Sequence, residues 1–375
     1  MQNPQNVANG ANRSCRPEGR DGFEIAIICA LTIERDPIEA LLDKEYETDA
    51  FSYGKADGDL NSYTTGRLAN NHVVIVYMLE VGITALQQRT KIGILVGICG
   101  GVPKVPSRAE IVLGDVIIST SVIQFDNGKQ YPNTFIRKHT LGRSNPKVRS
   151  FVGQLPSTRL QTRIRDKISH FSSQLWDKDE FHDSSYPGPM SDILYPAEYL
   201  CEIALRSACR DLGCGIETQI TRNCIQAAKG ISPNGSQTTE ADIQEARKPR
   251  IHFGRIACSN QVMKSGQHRD EIAREEGVIG FEMESAGTWD YVPTLVIKSV
   301  ADYADSHKSK EWQGYAAITA AACTKAVLEV WRSTDSVTEY RTTETLIAFE
   351  RLDRVNHQET RTSQESVAHG PVYYM

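Results

Sequence analysis

The chain lacks the features that mark several whole classes of protein. It has no excess of positive charge: 42 Lys and Arg stand against 47 Asp and Glu, a formal charge of −5. No broad basic field is therefore present to neutralise nucleic-acid phosphates. No uninterrupted apolar stretch reaches the ~18 residues of a membrane-spanning helix, and the opening MQNPQNVANGANRSCRPEGRDG has no apolar centre for a secretory signal. The nine cysteines are odd in number and include no CxxC pair, which fits a reducing compartment rather than a disulfide framework. Neither GxxxxGKS/T nor GxGxxG occurs, and no HExxH or HxH pair occurs among the histidines, so the common nucleotide and zinc fingerprints do not apply. These absences predict a soluble, cytoplasmic protein with no nucleic-acid or membrane partner and no metal or cofactor.

The 40% apolar and 24% charged content is that of a globular chain, and its length is enough to bury roughly three quarters of the unfolded surface. Residues 1–22, rich in Asn, Gly, Arg and Pro, read as a disordered tail, and so does most of 332–375. Within the body, 23–331, apolar β-type runs recur: FEIAIICAL, HVVIVYML, IGILVGI, DVIISTSVI, IHFGRIA and TLVIKSVA. Several are near-continuous, as expected of central strands covered on both faces. The helical stretches ERDPIEALL, PKVRSFVGQL, RLQTRIRDKISHFSSQL, QHRDEIAREE and WQGYAAITAAACTKAVLEVW alternate with or follow them. That order predicts an α/β fold on a largely parallel sheet. The charged and loop-rich stretch 157–248 breaks the pattern and reads as a variable insertion.

Three carboxylates fall just beyond buried strands or in the turns after them, where α/β proteins place their sites: Glu34 after FEIAIICAL, Glu284 in GVIGFEMESAG, and Asp302 closing TLVIKSVAD. Each has a plainer reading. Glu34 and Glu284 suit helix N-termini, where a negative charge complements the macrodipole, and Asp302 suits an N-cap or a turn. Gly97, Gly100 and Gly101 predict a glycine turn after an apolar strand, leaving amides open to a ligand or simply closing a tight turn. Cys201, Cys209, Cys214 and Cys224 are irregularly spaced without a histidine, which argues against zinc. Cys99 reads as a small buried filler and His307, in SHKSK, as a solvated loop residue.

In combination these parts are more specific. ICALTIERDPIEALL, VGICGGVP, GRIACSNQVMKSG, FEMESAG and KSVADYADSHKSKEWQGYAAITAAA, in this order, resemble the nucleoside phosphorylase superfamily over about residues 23–331, in particular its fungal branch, whose domain often begins receptor-like multidomain proteins. The resemblance implies a three-layer α/β/α fold around a distorted mixed sheet, and cleavage of the N-glycosidic bond of a purine nucleoside or nucleotide with phosphate or water as acceptor. It implies Asp302 as the donor of a proton to purine N7, Glu284 as the acceptor of bonds from the ribose hydroxyls, and Met283 beneath the sugar. Val262 and Met263 would bound the base, and Gly100 the sugar and acceptor. To donate near neutral pH, Asp302 must be kept protonated by desolvation.

The acceptor is where the resemblance divides. Phosphate-using members carry an arginine in the first strand-to-helix loop and an arginine and a serine around the glycine turn; here Glu34, Leu95 and Ile98 stand there. A glutamate at the first position resembles the nucleosidases for methylthioadenosine and adenosylhomocysteine, where it activates water. Hydrolysis is therefore expected over phosphorolysis, with Arg35 as the residue that would restore phosphate use. A catalytically weak nucleoside-binding or signalling module is the alternative of a different class. The segment between VVIVY and IGILVG is about a dozen residues shorter than in relatives, too short for a covering helix, so an exposed sheet face and a homo-oligomer are expected.

Overall fold

The near-continuous apolar runs form strands buried on both faces. In the computed structural model, which describes residues 16–47, 52–55, 59, 61–77, 90–106, 108–132, 134–138, 141, 144–200, 218–232 and 238–331, the elements follow in chain order. They are β1 (Ile25–Cys29), α1 (Thr32–Ala40), β2 (Lys44–Glu45), β3 (Ser62–Leu68), β4 (Asn71–Tyr77), β5 (Ile92–Gly101), β6 (Val116–Gln124), β7 (Gly128–Tyr131), β8 (Thr134–Arg137), α2 (Pro146–Gln154), α3 (Thr158–Trp176), α4 (Asn223–Ala228), α5 (Glu240–Arg247), β9 (Ile251–Cys258), α6 (Gly266–Glu276), β10 (Val278–Glu282), α7 (Ser285–Trp289), β11 (Thr294–Asp302) and α8 (Gln313–Leu328). The chain divides into a unit Met1–Glu329 and a unit Val330–Met375; of the second, only residues 330 and 331 are described. The expected tail 332–375 and residues 78–89 of the shortened crossover thus lie outside the described residues. Residues 16–22 are placed, and the Tyr53 hydroxyl donates to the Pro17 carbonyl at 2.7 Å.

The sheet runs β10-β9-β6-β11-β5-β1-β4-β3-β2. It is mixed: β1 is parallel to β4 and β5, β5 to β11, and β9 to β6 and β10, whereas β6 opposes β11 and β3 opposes β4. Helices α1 and α3 pack on α8, which also lies against β5 and β11, while α7 packs against β6 and β11 and α6 against β10. This is an α/β fold with a mixed central sheet between helical layers. The helix α8 is buried almost all round through its alanines, as a helix wedged between a sheet and two other helices must be.

One expectation is corrected here. Residues 97–101 do not turn; they continue β5 to its end. Gly100 and Gly101 pair antiparallel with Phe281 and Gly280 of β10 while Gly100 also faces Asp302 of β11. A Cβ on Gly101 would come 2.7 Å from Val300 Cγ1, and one on Gly280 2.8 Å from Ile117 Cδ1, so the glycines serve close approach of strands. By pairing with both β9 and β5, β10 curls the sheet at this end. Within 157–248, α3 packs along α8.

Candidate active site

Glu34 enters α1 as its third residue and is only 2% exposed. Its Oε2 accepts the amides of Ala30 (3.1 Å) and of the N-cap residue Leu31 (2.9 Å), the latter a donor that helix geometry leaves without an intrahelical partner. Its Oε1 accepts the amide of Ile98 in β5 at 2.8 Å. The carboxylate fits against β5 because residue 97 has no side chain: a Cβ there would lie 1.9 Å from Oε1. Gly97 is thus where the chain requires glycine, and its requirement comes from Glu34.

Directly across the strand pair from Gly97 is Lys298 of β11, fully buried in a strand that is buried from Thr294 to Ala301. Its Nζ donates to Glu284 Oε2 at 2.9 Å and lies 3.6 Å from Glu34 Oε1. Burial alone would strip its proton, but the carboxylates of Glu284, Glu34 and Glu282 reverse this and raise its pKa above the ordinary lysine value. Burial likewise opposes charge on Glu284, yet the Lys298 ammonium holds that carboxyl below its usual range. The neighbouring Glu282 is different. Burial first, then the charge of Glu284, push it up to about 7, and it accepts from the Ser285 hydroxyl, the Ser285 amide at 2.9 Å and the Glu284 amide at 3.0 Å.

Four residues beyond Lys298 on the same strand is Asp302, so about 13 Å separates their backbones. The register of β11 against β5 slips between Val300 and Asp302. Burial raises the Asp302 pKa, against the opposing pull of Lys308, whose Nζ is 3.3 Å away. Its Oδ1 accepts the Ala304 amide at 2.8 Å, and Gly100 gives it room, a Cβ there falling 2.9 Å from Oδ1. The arrangement can do two kinds of chemistry. One end holds two carboxylates around an ammonium; the other holds a carboxyl biased toward its acid form.

Of the residues expected from sequence, the structure joins Glu34 and Glu284 through Lys298 and sets Asp302 beside Gly100. Met283 is 41% and Val262 51% exposed, whereas Met263 is buried in an apolar cluster with Phe125 and Phe281. Leu31 and Ile33, beside Glu34 in sequence, are also exposed, so apolar surface remains open around the first turn of α1. Cys99 is a buried thiol whose pKa burial raises, which suits filler rather than a nucleophile. Cys224 donates to Glu110 at 2.8 Å; Cys201, Cys209 and Cys214 lie outside the described residues. Among the described residues no His, Cys, Asp or Glu group is placed to hold a metal.

His307 corrects a second expectation. It is not solvated: its side chain is 4% exposed, with its ring 4.0 Å from that of Tyr195 and 5.3 Å from that of Tyr199. Aromatic residues of the 157–248 segment close over it, which the spacing of SHKSK does not reveal. Sequence reading also missed Lys298, Glu282 and Lys308. For Lys298 a signal existed, a lone cation in the middle of TLVIKSVAD, since an unpaired lysine does not persist in a central strand.

No protein-family model matches the chain. A curated relative, a nucleotide-binding leucine-rich repeat (NLR)-like protein of Hyaloscypha variabilis, is 29% identical over 322 residues, 82% of this chain. The chain spans 29% of that relative's length. Among solved structures, a mutant 5'-methylthioadenosine/S-adenosylhomocysteine nucleosidase of Helicobacter pylori, with 5'-methylthioadenosine in its active site, aligns over 83% of this chain and all of its own at 14% identity and a TM-score of 0.44. Futalosine hydrolase of the same organism covers 83% of this chain and 99% of its own at 14% identity and a TM-score of 0.46. The nucleosidase of S. pneumoniae with a transition-state inhibitor is 18% identical, covering 81% and 98%, with a TM-score of 0.43.

Proposed function

We propose that this chain cleaves the N-glycosidic bond of a purine nucleoside or nucleotide, with water as the acceptor. The observation that carries the reading is the pair of opposite electrostatic settings along β11. As the bond breaks, positive charge develops on the ribose and negative charge on the purine. Asp302, biased toward its acid form by burial, delivers a proton to the departing purine at N7. Glu284, kept anionic by Lys298, accepts from the ribose hydroxyls, with the exposed Met283 beneath the sugar; charged acceptors make bonds about twice as strong as neutral ones. Gly100 stands beside the sugar, and Val262 and Met263 bound the base.

The acceptor follows from charge and from unused hydrogen-bonding capacity. Glu34 and Glu284 together outweigh the one ammonium between them, so a phosphate dianion would meet net negative charge. Arg35 does not compensate. It pairs with Asp36 at 3.3 Å and Glu39 at 3.5 Å, and its guanidinium sits 5.4 Å from the Tyr77 ring centroid. Glu34 spends three acceptor positions on backbone amides, and Lys298 at 3.6 Å is beyond a direct hydrogen bond. A lone pair on Oε1 stays available to take a proton from water.

The test is chromatography of adenosine, inosine, guanosine, methylthioadenosine and ATP after incubation with and without phosphate. Free purine and ribose without phosphate are the expected products; strict phosphate dependence with ribose 1-phosphate as product overturns the acceptor. The NLR-like relative favours a second reading, a nucleoside-binding module within a longer receptor-like protein, which purine binding with no product under either condition would support. We place the activity in the cytoplasm, in keeping with the free thiols Cys29, Cys99, Cys224, Cys258 and Cys323, and in a homo-oligomer, for which size-exclusion chromatography with light scattering is the check. No described helix is long and apolar enough to cross a membrane.

A further inference from the structure

The residue after Asp302 is held from two sides by buried charge that the chemistry above does not use. Asp192 and Arg222 come from the 157–248 segment, and their side chains are 1% and 3% exposed. Arg222 Nη2 donates to Asp192 Oδ1 and, at 3.2 Å, to the Asp192 carbonyl. Its Nη1 donates to the Tyr303 hydroxyl at 2.6 Å, and that hydroxyl donates to Asp192 Oδ1 at 2.7 Å. The guanidinium lies 5.1 Å from the Tyr303 ring centroid. The second Asp192 oxygen accepts the Leu113 amide at 3.1 Å. From α6, the buried Arg269 donates to the Tyr303 carbonyl at 2.7 Å. Both ends of Tyr303, hydroxyl and carbonyl, are thus fixed by arginines on different elements.

A buried ion pair is a poor stabiliser, because desolvation consumes most of what the attraction returns. Its contribution is better sought in the geometry it imposes. That geometry is unusual: Ala304 has φ +53°, a left-handed conformation that disfavours any residue with a Cβ. It directly follows the register slip at Asp302. The Ala304 amide is also the group that holds Asp302 Oδ1, so the aim of the Asp302 carboxyl depends on a turn the backbone would not keep unaided. Strained residues of this kind persist only where their surroundings over-determine them.

We propose that Asp192 and Arg222 are positioning residues which, by clamping Tyr303, hold the strained Asp302–Ala304 turn and with it the direction and burial of the Asp302 carboxyl. The catalytic consequence rests on the nucleosidase reading; the clamp itself does not. The segment 157–248 is then part of the machinery, completing the leaving-group end from outside the sheet. The charged and titratable groups facing Asp302 are Lys308, Asp305 and Cys99, and none of them is altered by a change at the Tyr303 hydroxyl.

The experiment is Tyr303→Phe in the full chain, which removes the hydroxyl and leaves Asp192 and Arg222 paired with each other. Carbon-13 NMR of aspartate-labelled protein, with Asp302 assigned by its loss in Asp302→Asn, reads the carboxyl directly. Loosening the turn admits water, so the Asp302 titration is expected about one pH unit lower. With adenosine and methylthioadenosine as substrates, kcat is expected to fall roughly tenfold or more with KM unchanged, and the alkaline limb of the pH profile to move down with the titration. An unaltered carboxyl titration overturns the proposal, as does a loss in which kcat and KM change together while the pH profile stays fixed. If the unaltered protein releases no base, the nucleosidase reading fails, yet the titration still decides the clamp. Should Tyr303→Phe fail to fold, Arg222→Lys retains the charge but loses the fork; the same downward shift supports the clamp and its absence overturns it.

Discussion

The two ends of the candidate site sit on one strand, four residues apart, and are built in opposite ways. Around Lys298 the backbone is regular β11, and the site is made by side chains from three elements meeting at a buried ammonium. Around Asp302 the backbone itself is irregular, with a register slip and a left-handed alanine, and the neighbouring cation, Lys308, is part-exposed. The first arrangement holds the Glu284 carboxyl below its ordinary range, and the second raises that of Asp302 above its ordinary value. Finding titratable groups whose surroundings push them apart is how acid and base roles are assigned in one pocket. Along one strand, the surroundings thus push titratable groups in opposite directions, one stretch set by charge pairing and the other by burial.

The comparison is broken most completely at Lys298. Lys298→Met leaves Glu34 and Glu284 buried without their cation, and removing one partner of such a cluster destabilises by roughly 3–5 kcal/mol. Denaturant unfolding is expected to show that loss together with the disappearance of base release. Asp302→Asn should keep a cooperative unfolding transition but slow purine release about 10³-fold, within the range of general acid catalysis, because an amide cannot supply the proton. Wild-type rates with Asn at 302 would remove it from the chemistry. Glu34→Gln is expected to slow phosphate-independent release about 10²-fold, as the amide cannot accept the water proton. A Glu34→Gln enzyme that becomes active only with phosphate would show that this carboxylate alone excluded the anion.

The pH dependence sharpens the contrast with smaller effects. Glu282 and Asp302 have raised pKa values in the folded chain, so the folded state binds more protons than the unfolded one. Their contribution is complete below the ordinary carboxylate range and is lost as pH rises through the folded value. Glu284 is depressed; its contribution is present above the unfolded value and is lost as pH falls. Glu282→Gln is therefore expected to flatten the fall in stability between pH 4.5, the ordinary glutamate value, and about 7. Glu284→Gln should instead flatten the rise at more acid pH. Thermal unfolding from about pH 2 to 8 reads both slopes; a Glu282→Gln profile parallel to that of the unaltered chain would show that Glu282 is ordinary.

Much of the frame is legible in order along the chain. The runs FEIAIICAL, IGILVGI, DVIISTSVI, IHFGRIA and TLVIKSVA are β1, β5, β6, β9 and β11, and the five helical stretches are α1, α2, α3, α6 and α8, because burial on both faces leaves an unbroken apolar signature. The short β10, VIGFE within GVIGFEMESAG, and the exposed hairpin β7–β8 carry weaker signatures that do not separate them from loops. Gly97 to Gly101 reads as a turn because glycine signals chain reversal and close packing alike. Only the contacts distinguish the two, here the Glu34 carboxylate and β10. Lys308 and His307 share one short motif, yet one faces Asp302 and the other is buried under Tyr195 and Tyr199; nothing local separates them.

Sequence by itself determined most of the buried strands and the helices and singled out the three carboxylates as candidates, since hydrophobic periodicity and strand-end placement are local properties of the chain. Tertiary structure alone decided the electrostatic settings of two of them. The lowering of Glu284 depends on Lys298 and the raising of Asp302 on the depth of the strand end, while the clamp proposed around Tyr303 draws on Arg222 and Asp192 from about 80 to 110 residues earlier. Electrostatic energy falls with distance in space and with local polarisability, not with separation along the chain, so the states of these groups exist only once the sheet has assembled around them.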